Sequence, residues 1–593
     1  MLRNAFGGRT LALPPNRGFC DLGGVGGGLH LPLGLKVLDH GVDDVDAFGA
    51  AAEGGVEAGF GGHFAVDLRA AGDQHHAVAD AFLLAQFGQL AHLRAVDVAL
   101  TGANGLGWTL CHNTGSICEQ RDFEPLRTPL GANASAHLAA AGGRGSDGSW
   151  PYFNLLSDAG RGVIAAVGWP GQWSADFAVD TAGRLTLRAG QEQTHFRLEP
   201  GETARTPAMA LLWHDGREVA SQNLWRRYMN AHVVPRVAEG KLPPPQHAAC
   251  SSHQYGEMIH ADEASQITFI DGYQDHGLDL DYWWMDAGWY PQERGWPQTG
   301  TWEVDPKRFP RGFRPITDHG RQRGVRSIVW FEPERVAPGT WLYTQHPEWL
   351  IGPDGGDKLL NLGNPAARAW LTDHVDGLLK SQGIDFYRQD FNIDPLGRWR
   401  AADTPERQGL TENFYIQGYL GWWDELRRRH PGMLIDSCAS GGRRNDLETM
   451  RRAVPLLRSD YIFEPVGQQC HTLGLAPWLP YFGSGYISTD AYDVRSTLCP
   501  AINTCWDVRG QDEARFAAMR ARMADWQGLS ELWSGDFYPL LPYSRDNGVW
   551  AAWQWHRGDL NRGAAQVFRR ASSPYESVRL RLQGLVAAQS YTL

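Results

Sequence analysis

The stretch that decides the fold is GIDFYRQDFN, residues 383–392. Its apolar first half is typical of a short buried strand, and its second half turns polar at Arg388, Asp390 and Asn392. An aspartate therefore stands where a strand gives way to a loop, flanked by a fixed cation and an amide. In a barrel of parallel strands, that edge is where the chemistry takes place.

Around this stretch, apolar runs and helical patterns alternate over residues 246–525. Residues 365–380 and 415–429 carry apolar side chains at i, i+3 and i+4, which predicts helices. Alternation over about 250 residues predicts a catalytic (β/α)8 TIM barrel. The predicted strands are 248–251, 280–285, 326–331, 384–387, 433–436 and 456–458.

The flanking regions favour β structure, and the whole chain is predicted to be multidomain. Residues 106–240 show short alternating runs between turns, which predicts an N-terminal β-sandwich with a helix near 223–229. Three prolines at 243–245 mark the boundary with the barrel. Residues 526–593, with a strand predicted at 549–555, form a C-terminal antiparallel β domain.

Residues 1–105 are an atypical N-terminal segment of uncertain order, because they show no clean period of 2 or 3.6. Three interpretations stay open. The segment is a divergent sheet, it is poorly ordered, or the start codon is misassigned and the segment is not genuine coding sequence.

Composition excludes several classes. The net charge of -12 argues against nucleic-acid binding. No apolar run approaches the ~20 residues that span a bilayer, and no signal peptide is recognised. The 8 scattered cysteines favour neither a disulfide framework nor a zinc site. We expect a cytoplasmic protein without cofactor, metal, membrane or nucleic-acid partner. The 25 tryptophans suit a carbohydrate ligand, although packing explains most single tryptophans.

Polar residues end five predicted strands, and this coincidence points to a site. One such ending is ordinary, because Asp and Glu commonly cap the next helix. Five such endings would lie together around the C-terminal ends of the barrel strands, here called the mouth, and this favours a functional site. They are Asp286, Glu332 with Glu334, residues 388–392, residues 437–444 and residues 458–460.

The motifs at these ends are WFEPE (330–334), YRQDFN (387–392), CASGGRRND (438–446) and RSD (458–460). With them, residues 106–593 resemble the α-galactosidases of glycoside hydrolase family 36, the melibiase group. The resemblance implies that Asp390 is the nucleophile and Asp460 the general acid/base of a retaining double displacement. Their carboxyl groups are then expected about 5–5.5 Å apart.

Elementary electrostatics agrees with these roles. A cation at Arg388 lowers the pKa of Asp390, which must be ionised. Asp460 must hold a proton, so less polar surroundings suit it. Arg458, two residues before it, is expected to point elsewhere or to pair with another carboxylate.

The resemblance also implies sugar contacts. Glu332 and Glu334 are interpreted as structural, Cys438 could equally be a packing thiol, and Arg444 either contacts the sugar or closes its loop through a salt bridge. The implied substrate-binding residues are Asp286, Trp330, Arg388, Asn392, Cys438, Gly441 and Arg444.

Two departures from the family pattern put the sugar in doubt more than the reaction. Ala287 stands where the family has a second aspartate, and Arg388 with Gln389 replaces Lys-Trp. The alternatives are a retaining hydrolase for an α-N-acetylgalactosaminide or a β-L-arabinopyranoside, and a non-catalytic carbohydrate-binding protein. A metal-dependent hydrolase is disfavoured, because no ligand cluster accompanies the site. The partner is a small carbohydrate, with a homo-oligomer possible.

Overall fold

The computed structural model describes residues 107–158, 160–215, 217–462, 464–586 and 591–592, and the backbone of four short strands between residues 76 and 101. The interpretations of residues 1–75 lie outside the described residues.

A seven-stranded parallel sheet forms the centre of the molecule. Its strands are buried along almost their whole length, as expected for parallel strands covered on both faces. In spatial order they are Ile435–Ser437, Phe386–Gln389, Arg326–Phe331, Tyr282–Met285, Gln246–Cys250, Ala501–Thr504 and Gly483–Tyr486.

The two edges of this sheet are bridged by the segment 454–458. Val454 pairs with Asp436 on one side. On the other side, the Arg458 amide donates to the Gly483 carbonyl at 3.0 Å and the Gly483 amide donates to the Pro455 carbonyl at 2.7 Å. The parallel sheet is therefore consistent with a TIM barrel.

Helices connect the parallel strands. Pro365–Gln382 shows why they form where they do: Asn364 caps the first turn, proline occupies its start, and Gly383 ends it at φ +71°. The described α-helices are Glu218–Tyr228, Ser252–Tyr255, Glu263–Asp275, Arg314–Gln322, Trp341–Gln345, Pro365–Gln382, Leu396–Ala402, Leu410–Arg429, Leu447–Met450, Pro465–Leu475, Ala491–Thr497 and Glu513–Gln527.

Two antiparallel sheets precede the parallel sheet. Phe153 of one contacts Trp173 and Phe177 of the other, at ring-centroid distances of 5.8 and 5.1 Å. One sheet has the order His76–Ala79, Ala208–Asp215, Arg161–Gly168, Tyr152–Ser157, Trp108–Asn113 and Pro125–Leu130. The other has the order Val96–Thr101, Arg184–Gln191, Trp173–Val179 and Ser135–Ala139. Both sheets therefore use chain on the N-terminal side of the predicted boundary at residue 106.

The remaining strands form small sheets. An antiparallel sheet of Asp536–Pro539, Trp550–Arg557 and Arg562–Arg569 follows the last helix, in the region where C-terminal β structure was predicted. The others are Arg407–Gln408 with His195–Arg197 and Leu90–Ala91, Thr203–Arg205 with Phe82–Leu84, and Arg335–Val336 with Lys358–Leu360 and Leu350–Ile351.

One predicted strand is absent. Residues 456–458 form no regular strand, because Pro455 has no N–H to offer a central ladder. Two strands, Gly483–Tyr486 and Ala501–Thr504, were not predicted from the sequence. Gly483–Tyr486 has glycine at two of its four positions, which weakens any strand pattern.

Candidate active site

The C-terminal ends of the parallel strands bring the predicted site residues together. Asp390 follows the strand Phe386–Gln389, and its amide donates to the Phe331 carbonyl of the neighbouring strand at 2.8 Å. The Cys438 amide donates to the Gln389 carbonyl at 2.8 Å from the other side. Parallel register thus places three loops against one aspartate.

Four donors surround the Asp390 carboxylate. Its Oδ1 accepts from the backbone amides of Phe391 at 2.7 Å and Ser440 at 3.0 Å. Its Oδ2 accepts from the Asn392 amide at 2.9 Å and the Trp330 indole at 3.2 Å. Burial by itself raises the pKa of Asp390, but the Arg388 charge and these hydrogen bonds outweigh it and hold the pKa below its ordinary value. Asp390 is therefore ionised at neutral pH.

Arg388 is held by a partner that the sequence interpretation did not single out. Its guanidinium forms an ion pair with Asp436 on the neighbouring strand and lies 4.4 Å from the centroid of the Trp284 ring. Arg388 is 3% exposed and Asp436 is fully buried. Burial raises the pKa of Asp436 to about 6 although Arg388 opposes this shift. The cation that acts on Asp390 is thus fixed in place.

Asp460 has the opposite environment. None of the hydrogen bonds among the described residues involves its carboxyl group. The residue is exposed to solvent. Protein atoms nevertheless crowd around it and remove much of its hydration. This burial and the charge of Asp390 raise the pKa of Asp460 to about 7, against the opposing charges of Arg388 and Arg443.

Arg458 does not oppose this shift. Its guanidinium turns into the helix Pro465–Leu475, where it donates to Thr472 at 2.9 Å and to the Gln468 side chain at 2.8 Å. Burial lowers its pKa to about 10. The expectation that Arg458 points away from Asp460 is confirmed.

The glycine-rich loop, residues 438–446, contacts the segments that carry both carboxyl groups, Asp390 and Asp460. Ser440 adopts φ +49°, an uncommon conformation for a non-glycine residue, and its amide reaches Asp390. Gly441 adopts φ +81°, and a Cβ there would lie 2.7 Å from the amide nitrogen of Asp460. Only glycine fits this approach. Cys438 is buried, 2% exposed, at the start of the loop.

Glu332 and Glu334 take structural positions beneath the loops. Glu334 forms an ion pair with Arg444 at 2.6 Å and accepts from Tyr415 at 2.6 Å. Glu332 forms an ion pair with Arg335 and accepts from the backbone N–H of Asn392 at 2.6 Å. Both carboxylates are fully buried. For Arg444, the observed contact is the salt bridge that closes the loop, one of its two expected roles.

The remaining predicted residues surround Asp390. Asp286 accepts from the Trp284 indole at 2.9 Å and the Ala287 amide at 2.8 Å, and burial raises its pKa. Asn392 is itself oriented by the Ser440 hydroxyl at 2.7 Å. Trp330 is 1% exposed, so the contact that it makes is with the nucleophile candidate.

The β-sheet region before the parallel sheet also supports the site, and sequence reasoning missed this. Arg144 donates to the Phe391 carbonyl and to the Ser440 hydroxyl, each at 3.3 Å. The Ser146 hydroxyl donates to the Gly442 carbonyl at 2.6 Å. No strand-end motif marks these residues, because they come from loops far away in the sequence.

In the part of the chain that the structure describes, no group of three or more His, Cys, Asp and Glu side chains could hold a metal ion. In the same part, no helix has the length and apolar character to cross a membrane.

A parallel sheet that ends in an ionised carboxylate and a second carboxyl group of raised pKa is the arrangement that glycoside hydrolases use. Residues 257–466 match the family model Melibiase. For these residues, the match confirms the resemblance inferred from the motifs.

Curated relatives agree with this assignment. An α-galactosidase of Pediococcus pentosaceus is 25% identical over 288 residues, which are 47% of this chain and 38% of the relative. The α-galactosidase AgaA of Geobacillus stearothermophilus is 24% identical over 452 residues, 72% of this chain and 60% of the relative. The match to the first of these relatives thus spans well under half of its length.

Solved structures show the same fold. A crystal structure of AgaA from Geobacillus stearothermophilus in complex with stachyose superposes with a TM-score of 0.75 at 20% identity. The match covers 87% of this chain and 74% of that one. A likeness at this identity speaks for the fold.

Proposed function

We propose that this protein is a retaining exo-acting α-galactosidase that releases terminal α-linked galactose by double displacement. The observation that carries the proposal is the contrast between two carboxyl groups at one mouth. Asp390 accepts four hydrogen bonds, which help to lower its pKa, whereas Asp460 accepts none from the described residues and its pKa is raised to about 7. The match to the family model Melibiase and the α-galactosidase relatives support the choice of sugar.

In the first step, the Asp390 carboxylate attacks the anomeric carbon while Asp460 gives its proton to the departing glycosidic oxygen. The C–O bond to the aglycone breaks as the ester bond to Asp390 forms. In the second step, Asp460 takes a proton from water, whose oxygen displaces Asp390 and releases galactose with its anomeric configuration retained. Asn392 and the Ser440 amide hold the attacking carboxylate in place.

In this proposal, the other expected residues bind the sugar or hold the loops around it. The Asp286 carboxylate accepts from ring hydroxyls, and Arg388, fixed by Asp436, stands on the same side of the mouth. Cys438 and Gly441 line the position beside Asp390. Arg444 contributes through its loop rather than by direct contact.

The finer architecture is also part of the proposal. The parallel sheet closes as a (β/α)8 barrel through residues 454–458. It lies between a sandwich domain, which combines residues 106–240 with the strands His76–Ala79 and Val96–Thr101, and a C-terminal β domain at 526–593. We keep the expectation of a cytoplasmic protein, with a small carbohydrate as partner and a homo-oligomer as a possible assembly.

Turnover of p-nitrophenyl α-galactoside tests the proposal. We expect hydrolysis with release of α-galactose, seen by proton NMR before mutarotation. Asp390→Ala should lose about 10⁴-fold or more in kcat with an unchanged melting temperature. Asp318→Ala, an exposed aspartate on the helix Arg314–Gln322, is the control. Full activity of Asp390→Ala, release of β-galactose, or a carboxyl separation near 9 Å would remove the retaining assignment.

A related sugar is a second candidate, because Ala287 and Arg388 depart from the family pattern. Aryl α-N-acetylgalactosaminide and β-L-arabinopyranoside assayed beside the galactoside decide between them. The substrate with the highest kcat/KM identifies the sugar.

A further inference from the structure

A third carboxyl group faces the mouth from a direction that no motif marked. Glu257 begins a short 3-10 helix, Glu257–His260, in the connection after the parallel strand Gln246–Cys250, and its side chain is exposed. Its carboxyl group interacts electrostatically with Asp286, Asp460 and Asp390. Glu257 therefore shares the mouth with both candidate catalytic residues.

The backbone at Glu257 is held in an unfavourable conformation. Gly256 adopts φ +58° and Glu257 adopts φ +53°, so two successive residues are left-handed and the second is not glycine. The next amide, that of Met258, donates to the Ala287 carbonyl at 2.8 Å, and Arg308 donates to the Met258 carbonyl at 2.6 Å. These bonds fix Glu257 beside the loop that carries Asp286. Backbone strain of this kind gathers at ligand-binding positions.

The carboxyl group of Glu257 has no structural task. Among the described residues it makes no hydrogen bond or ion pair, unlike the buried Glu332 and Glu334. Although its surface reaches solvent, surrounding protein atoms remove part of its hydration. This loss and the charges of Asp286 and Asp460 raise its pKa to about 7. Its neighbour Ala287 has no acceptor to offer a ligand at the same place.

We propose that Glu257 is a specificity-determining residue whose carboxyl group accepts a hydrogen bond from a ring hydroxyl of the sugar held against Asp286. This inference rests on the proposed function. Glu257 thereby provides, from the first strand end, the acceptor that Ala287 does not provide from the second.

Monodeoxy substrates test the contact. In wild type, kcat/KM should fall about tenfold or more for one of the 3-, 4- and 6-deoxy p-nitrophenyl α-galactosides, since a missing hydroxyl leaves its polar partner unpaired. Glu257→Ala should lose a similar factor on the parent substrate and nothing further on that analogue. Glu257→Gln, which keeps the side-chain shape, should show the same coupling and serves if Glu257→Ala does not fold. Glu293→Ala, an exposed glutamate on the next loop, should leave the wild-type pattern unchanged.

The inference would be overturned if, for all three analogues, the loss caused by the Glu257 variant multiplied the loss caused by the missing hydroxyl. Calorimetric titration with free galactose separates it from the proposed function, because binding needs no turnover. If galactose binds about tenfold weaker to the Glu257 variants but no galactoside is hydrolysed, the contact stands and the reaction fails. Normal turnover with unchanged galactose binding and multiplicative losses rejects only the contact. Absence of both turnover and galactose binding rejects both.

Discussion

Asp390 and Asp460 are two aspartates at one mouth in opposite electrostatic environments. Asp390 is 8% exposed and accepts four hydrogen bonds, whereas Asp460 reaches solvent and accepts none from the described residues. Exposure alone therefore predicts the wrong order of pKa values. The buried carboxylate is the stronger acid, because donors and a fixed cation stabilise its charge.

The shift at Asp460 depends on the state of Asp390. The charge of Asp390 is a large cause of the raised pKa of Asp460, second only to burial. In the proposed double displacement, Asp390 forms a covalent ester, so its charge is lost and the pKa of Asp460 is expected to fall. A weaker acid becomes a stronger one in mid-cycle, which suits a group that first donates a proton and then works as a base.

After the loss expected for Asp390→Ala, the next largest effect on activity is expected at Asp460. Asp460→Asn should lower kcat/KM about 10²- to 10⁴-fold for substrates with a basic leaving group. The loss should be far smaller for 2,4-dinitrophenyl galactoside, which departs without a proton. In wild type, kcat/KM should fall as pH rises through about 7, and this limb should vanish in the variant. An equal loss for both leaving groups contradicts the assignment.

The next effect is expected from replacing Arg388, the cation that lowers the pKa of Asp390. Replacement by Met should raise the pKa of Asp390 by about one to three units. Because the nucleophile must be ionised, the acid limb of the kcat/KM profile should move upward by that amount. Arg388→Lys keeps the charge and should leave the limb near its wild-type position. Melting temperatures of both variants report the cost of leaving Asp436 with a weaker partner. If the acid limb stays at its wild-type position in both variants, hydrogen bonds alone set the pKa of Asp390.

Much of this arrangement could be predicted from the sequence. The strand at 326–331 was placed at its observed bounds, and helices at 365–380 and 415–429 fall within Pro365–Gln382 and Leu410–Arg429. Apolar periodicity carries that information locally. The polar strand ends then followed from the topology, since parallel strands present their C-terminal ends together.

What escaped prediction depends on contacts between distant segments. Asp436 was read as the end of a strand, and only the register Arg388↔Asp436 shows that the two side chains pair. Arg144 reaches Ser440 across 296 positions of sequence. The strand Gly483–Tyr486 is set by pairing with Ala501–Thr504 rather than by its own composition.

A smaller effect is expected at Trp330. Trp330→Phe removes one of the four donors to Asp390 and keeps most of the ring packing. The acid limb of kcat/KM should rise by roughly half to one pH unit, with a loss of a few fold at neutral pH. Trp302→Phe changes a neighbouring buried tryptophan that packs on Trp330 at 6.0 Å and should leave the limb unmoved. A shift of the same size in both variants would assign the effect to packing.

The smallest effect on activity is expected at Glu412, a buried carboxyl group outside the site. A comparison of Glu412 with Asp390 shows what a fixed cation adds to hydrogen-bond donors. Glu412 is 3% exposed and accepts from the Trp169 indole at 2.7 Å and the Gln172 amide at 2.8 Å. It therefore has donors, as Asp390 does, yet burial raises its pKa to about 8, against the weaker effects of these donors and of Arg400. Donors without an adjacent fixed cation do not offset burial.

The consequence appears in stability rather than in turnover. The folded protein holds the Glu412 proton up to about pH 8, whereas the unfolded chain releases it near pH 4.5. The stabilisation is complete below pH 4.5 and is lost as pH rises through 8. Glu412→Gln keeps the Oε1 acceptor and cannot ionise. The difference in unfolding free energy between variant and wild type should therefore be about 1–3 kcal/mol more in favour of the variant at pH 8 than at pH 5. Denaturant titrations at both pH values measure this gain. Glu406→Gln, an exposed glutamate in an ion pair with Arg197, should show none. A gain that is independent of pH would mean that Glu412 is ionised in the fold and that two donors suffice without a cation.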